Sequence, residues 1–78
     1  MPELGQFARA YARAVKAAVD AAGISGSELG RRLGRAQSYA SLRLNGRRAW
    51  TLDELDQIAA LLGVTADELM QRARDAAE

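Results

Sequence analysis

Apolar residues in the first third of the chain recur at spacings of three and four: Leu4, Phe7, Ala8, Tyr11, Val15, Ala18, Val19 and Ala22. One face of an α-helix has this period. Pro2 suits the first turn of such a helix and Gly23 its C-terminal stop. A second helix opens at Ser25, with Glu28 three residues on. That spacing is a capping box, in which each side chain satisfies the other residue's free backbone amide. Leu29 and Leu33 are its apolar positions and Gly34 ends it. The stretch RAQSYASLRLNG, Arg35 to Gly46, forms a third helix closed by Asn45-Gly46. Thr51 with Glu54 opens a fourth, which carries Leu52, Leu55, Ile58, Ala59 and Leu62 to a stop at Gly63. Thr65 with Glu68 opens a fifth, with Leu69, Met70 and Ala73 on one face. No segment alternates with the period of a strand. The pattern predicts an all-α fold: five helices in a single compact domain over residues 1–78.

The connections between these segments are only a few residues long, so neighbouring helices must pack directly on one another. The second and third are the most closely joined. Gly34 falls where the turn needs positive φ, and Gly30, one turn earlier, lets the two helices approach closely.

The chain has 78 residues, no cysteine and no histidine. Disulfides and thiolate metal sites are therefore excluded, together with the commonest general base and metal ligand. No Gly-rich phosphate loop or nucleophile motif stands beside the carboxylates. The reading is of a non-enzyme with no metal, no cofactor and no expected small-molecule ligand. No apolar run approaches the ~20 residues of a membrane span, and the N-terminus has no uninterrupted apolar stretch of a signal peptide. The amphipathic start reads as a helix of the fold, and the chain as soluble and cytoplasmic. Ten arginines against one lysine, with abundant alanine, point to a GC-rich bacterial or phage source.

The net charge of +1 conceals a strong polarity. Residues 29–52 carry Arg31, Arg32, Arg35, Arg43, Arg47 and Arg48 and no acid. Residues 53–78 carry seven acids against Arg72 and Arg74, and residues 1–28 balance. A basic block inside a folded domain creates a local positive field even when the net charge is small. Here the block coincides with the helix–short turn–helix unit at about 25–46.

Ser25 to Leu69 resembles the lambda-repressor-like, Cro/C1-type (XRE) helix-turn-helix domain. The resemblance rests on SELGRRLGRAQSYASLRLNGRR followed by TLDELDQIAALLGVTADEL. Leu29, Gly30, Leu33 and Gly34 fall at the family's apolar, small, apolar and turn-glycine positions. Gln37-Ser38 and Asn45-Gly46 match the ends of its recognition helix, and the run IAALLGV its fourth helix. Three positions depart from it. Arg35 stands in place of an apolar turn residue, Arg43 in place of a buried aliphatic, and Gly26 in place of a frequent glutamine.

The resemblance implies that the second helix crosses the DNA backbone while the third, residues 36–45, enters the major groove. At about 100° per residue, Ala36, Ala40 and Leu44 form a narrow core-facing stripe. Gln37, Ser38, Ser41 and Asn45 lie opposite, with Leu42 among them and Tyr39 and Arg43 on the flanks. Gln37 can pair with adenine, Ser38 and Ser41 can meet either kind of base edge, and Leu42 can lie against a thymine methyl. Phosphate contacts are expected from Ser27, Arg35, Arg43, Asn45, Arg47 and Arg48. For Arg43 the alternative is an internal ion pair with a carboxylate of the first or fourth helix. Trp50 is expected to anchor packing between the third and fourth helices.

Members of this family dimerise on near-palindromic operators, and the acidic C-terminal part is the surface that avoids DNA. Leu62, Leu69, Met70 and Ala73, on and before the helix over 65–77, are therefore the expected homodimer contact, with simple core burial as the alternative. The expected partner is a double-stranded DNA operator, and the expected function a sequence-specific transcription regulator of the phage-repressor or Cro type. Without a ligand domain, its regulation would come from abundance or operator competition. The competing reading is an antitoxin or other protein-interaction module on the same fold.

Overall fold

In the computed structural model, which describes residues 5–77, five helices follow one another: α1 (Gln6–Ala21), α2 (Gly26–Arg32), α3 (Gln37–Leu44), α4 (Leu52–Leu62) and α5 (Ala66–Ala77). Pro2 and Leu4 lie outside the described residues. The two longest helices, α1 and α5, pack along each other, and α2 packs on α3. The core lies between them. Val15, Val19, Leu29, Ile58 and Leu69 are its largest fully buried side chains. Each such burial contributes about 1.5–3 kcal/mol relative to exposure.

α1 buries more than the stripe predicts. Ala10, Ala12 and Ala14 are buried beside Tyr11, Val15 and Val19 because α1 is packed against both α5 and α3. Phe7, expected on the core face, is 44% exposed and meets the Tyr11 ring edge-on at 6.0 Å between centroids. Leu52 is 73% exposed, since it opens α4 before the helix reaches the core.

The predicted caps form to different extents. Thr51 and Glu54 make the complete box: the Thr51 hydroxyl accepts from the Glu54 amide at 3.2 Å and the Glu54 carboxylate accepts from the Thr51 amide at 2.9 Å. Ser25 accepts from the Glu28 amide at 3.1 Å, but the Glu28 carboxylate turns to Arg32, 3.5 Å away and one helical turn on. Thr65 accepts from the Glu68 amide at 3.1 Å.

Trp50 is half-buried against the core. It lines a half-open apolar cleft of about 170 Å³ with Phe7, Tyr11, Leu52, Leu55 and Met70. No helix among the described residues is long and apolar enough to cross a membrane.

Candidate nucleic-acid interface

The α2–α3 unit is built on two glycines. Gly34 has φ +71, which lets the chain reverse after α2 without the strain a side chain would bring. At Gly30 a Cβ would stand 3.0 Å from the Ala36 carbonyl oxygen and 3.1 Å from that of Arg35, so any larger residue would have to push this backbone back. The Arg35 amide closes the turn by donating to the Gly30 carbonyl at 2.8 Å. The backbone of the turn is thereby fixed to α2, and α3 leaves it in a set direction.

α3 presents its side chains nearly as the wheel predicts. Ala40 is fully buried and Leu44 packs against the core, whereas Gln37, Ser38, Leu42 and Asn45 are exposed. Ala36 departs from its predicted core position: it is the exposed N-cap of α3, and its carbonyl accepts from the Tyr39 amide. Ser41 is half-buried, and its hydroxyl accepts from the Asn45 amide group at 3.4 Å. The amides of Arg47 and Arg48 both donate to the Leu42 carbonyl, at 2.9 and 3.3 Å, which folds this pair of arginines back against the last turn of α3. Arg31, Arg35, Arg47 and Arg48 are all exposed, as is Ser27 near the start of α2.

Arg43 turns inward. Its guanidinium carbon lies 3.4 Å from the centroid of the Tyr39 ring, and a terminal nitrogen donates to the Tyr39 carbonyl at 3.2 Å. Its Nε stands 3.8 Å from the Glu54 carboxylate, an ion-pair distance too long for a hydrogen bond. The Tyr39 hydroxyl donates to the other oxygen of that carboxylate. Glu54 itself is 6% exposed. Burial pushes its carboxyl upward, but the hydrogen bonds from Tyr39 and Thr51 and the charge of Arg43 together outweigh that and hold it below the ordinary 4.5. The Tyr39 phenol is raised, first by the hydrogen bond it donates to Glu54.

This geometry bears on two expectations. Of the two readings of Arg43, phosphate contact or internal ion pair, the side chain here takes the internal pair, with the carboxylate on α4. Leu69 and Ala73 are fully buried within the chain's own core, packed under α1, so they have no surface to offer a second copy. Leu62 and Met70 are half-buried at the edge of that core.

A helix-turn-helix family model matches residues 15–69, from the second half of α1 to the start of α5. The chain belongs to the Cro/C1-type helix-turn-helix family. It is a DNA-binding transcriptional regulator. Two crystal structures of the clp gene regulator ClgR from Corynebacterium glutamicum share its fold. One has a TM-score of 0.85 at 20% identity, covering 97% of this chain and 80% of that one. The other has a TM-score of 0.83 at 19% identity, covering 99% and 97%. No curated protein matches the chain.

In this helix-turn-helix domain the predicted reading residues Gln37, Ser38 and Leu42 share one exposed surface, with Arg35 at its start and Arg47 and Arg48 at its end. Ser41 is set back from it. Sequence reasoning missed the role of Tyr39 and Glu54. Glu54 was legible only as the N3 residue of a capping box. The signal for more lay in Arg43 itself, since a guanidinium at a buried helical position requires a carboxylate close by.

Proposed function

We propose that the chain is a sequence-specific regulator of the phage-repressor or Cro type, which lays α3 in the major groove of a near-palindromic operator and binds it as a dimer. The observation that carries this reading is the outer face of α3. Gln37, Ser38 and Leu42 are exposed together, and arginines flank them at both ends of the helix. A helix of this kind fits the ~12 Å major groove, and its first turn is the part that meets base edges. Gln37 offers the paired donor and acceptor that adenine requires, and Leu42, 40% exposed, offers an apolar surface to a thymine methyl. Ser38 adds a hydroxyl for a base edge, with Ser41 behind it. Arg35, Asn45, Arg47, Arg48 and Ser27 are the phosphate contacts.

The dimer reading now rests on Met70 and Leu62, with exposed Phe7 and Leu52 extending the apolar surface across the cleft they share with Met70. The acids of residues 53–78 keep this part of the domain from the DNA and leave it to protein contact.

Duplex binding measured across a salt series tests the docking. Each phosphate contact contributes about −0.9 to the slope of log K against log salt. Arg47→Ala should flatten that slope by about one contact and weaken binding to all sequences alike. A slope near zero in the parent would reject DNA binding. Sedimentation on a palindromic duplex should show two protomers per site, and a single protomer both free and bound would reject the dimer.

A further inference from the structure

The Tyr39–Glu54–Arg43 cluster joins the recognition helix to α4 at a place where no base or phosphate is read. It is built from a departure: an arginine occupies a half-buried position on α3, and α4 supplies the buried carboxylate beside it. Besides the Thr51 amide of its own cap, the partners of the Glu54 carboxylate belong to α3. Its two oxygens hold the phenol of Tyr39 and stand beside the guanidinium of Arg43, which itself lies over the Tyr39 ring. The Arg35 guanidinium lies over the same ring, 4.8 Å from its centroid. Two arginines, four residues before and four after Tyr39, therefore share its ring as one aromatic anchor, and a single α4 carboxylate holds that anchor. A cation over an aromatic face is attracted by the ring's negative face, so fixing the ring also places the cation.

We propose that Glu54 is a positioning residue for DNA reading. By holding Tyr39 and Arg43 on the protein side it keeps the Arg43 charge off the DNA backbone and aims Arg35, and so limits the sequence-independent part of the affinity. The argument is one of charge placement. Arg43 follows Leu42, whose carbonyl ties down the Arg47 and Arg48 amides. Its long stem can carry the guanidinium outward once the carboxylate no longer holds it. Released, it would join that basic group and add one phosphate contact, which strengthens binding to every sequence equally and carries no base information. The ion pair thus holds down the sequence-independent part of binding, a role visible in the salt slope. This inference rests on the docking of α3 proposed above.

The test uses the full chain, the duplex that the parent prefers and a random-sequence duplex, each over a salt series. Glu54→Gln is nearly isosteric and keeps an acceptor for the Thr51 amide, so the α4 cap survives. The expected result is a random-duplex slope steeper by about 0.9, so that a fourfold rise in salt costs about 3.5-fold more affinity than in the parent. The preferred duplex should steepen by the same amount, because the added contact is blind to sequence. Combining Glu54→Gln with Arg43→Met should return the slope to the parent's value. A cluster with a purely structural role predicts something else: both duplexes bind more weakly together with no change in slope, and that result would overturn the proposal. Arg43→Met alone provides a second arm should Glu54→Gln fail to fold. It should leave the slope unchanged, because Arg43 touches no phosphate in the parent. A slope flattened by one contact would show that Arg43 already grips the backbone, and would also overturn it. A parent with no preferred duplex would instead remove the sequence-specific reading itself.

Discussion

The pairing of α1 with α5 and the pairing of α2 with α3 are held together by different means. α1 and α5 are the longest helices and interlock through fully buried apolar side chains, Val15 and Val19 from one and Leu69 and Ala73 from the other. α2 and α3 together bury only Leu29, Gly30 and Ala40. Their mutual geometry comes from the close backbone approach at Gly30, and α3 is tied in turn to α4 by the polar link between Tyr39, Arg43 and Glu54. The first pair supplies stability, while the second supplies direction: it aims one thin helix with little core behind it. A lesion in the first pair should unfold the domain as a unit, and a lesion in the second should misdirect the reading helix in a domain that is still folded.

The largest effect should come from Leu69→Ala. It empties a fully buried position between α1 and α5, and we expect a loss of about 2–5 kcal/mol by urea unfolding, with DNA affinity falling only as far as the folded fraction falls. Gly30→Ala should cost less, about 1–3 kcal/mol, because the added Cβ meets two carbonyl oxygens of the backbone that cannot swing away. Its signature should be local. The Arg35 amide, bonded to the Gly30 carbonyl, should lose hydrogen-exchange protection, and operator affinity should fall further than stability does. Equal losses in stability and binding for both variants would erase the distinction between the two pairs.

The smallest effect concerns Glu54. Its carboxyl is held below 4.5 in the folded chain, so it contributes stability that is present above the unfolded value and is lost as pH falls through the lowered one. Unfolding free energy should therefore drop more steeply in the parent than in Glu54→Gln as pH falls below the ordinary carboxylate value of 4.5. Parallel acid limbs would mean that the carboxylate is not held by its neighbours.

Most of the first pair was legible in the sequence, because apolar periodicity reports burial directly and the helix stops carry their own residues. Gly30 and Gly34 were legible for a related reason, since close approach and positive φ each demand glycine. Ala36 was misplaced because a helical wheel assumes a helix that extends to both ends of the segment, whereas α3 begins one residue later. Leu69 and Ala73 show the limit on the partner surface. The same spacing of three and four describes a stripe facing a second copy and a stripe facing the chain's own core, and only the packing of α1 over α5 separates them. The inward turn of Arg43 required knowing which carboxylate lies opposite it, and that depends on how α4 is set against α3.

Selection of sites from random duplex DNA at physiological salt, run in parallel with the parent and with Gln37→Ala, tests the central claim most directly. The parent should enrich a near-palindrome whose half-sites lie about one helical turn, roughly 34 Å, apart. Gln37→Ala should enrich the same site with preference relaxed at one base pair per half-site, a discrimination loss of about 1–3 kcal/mol. An unenriched pool from the parent, or identical sites from both proteins, would contradict the assignment of α3 as the helix that reads sequence.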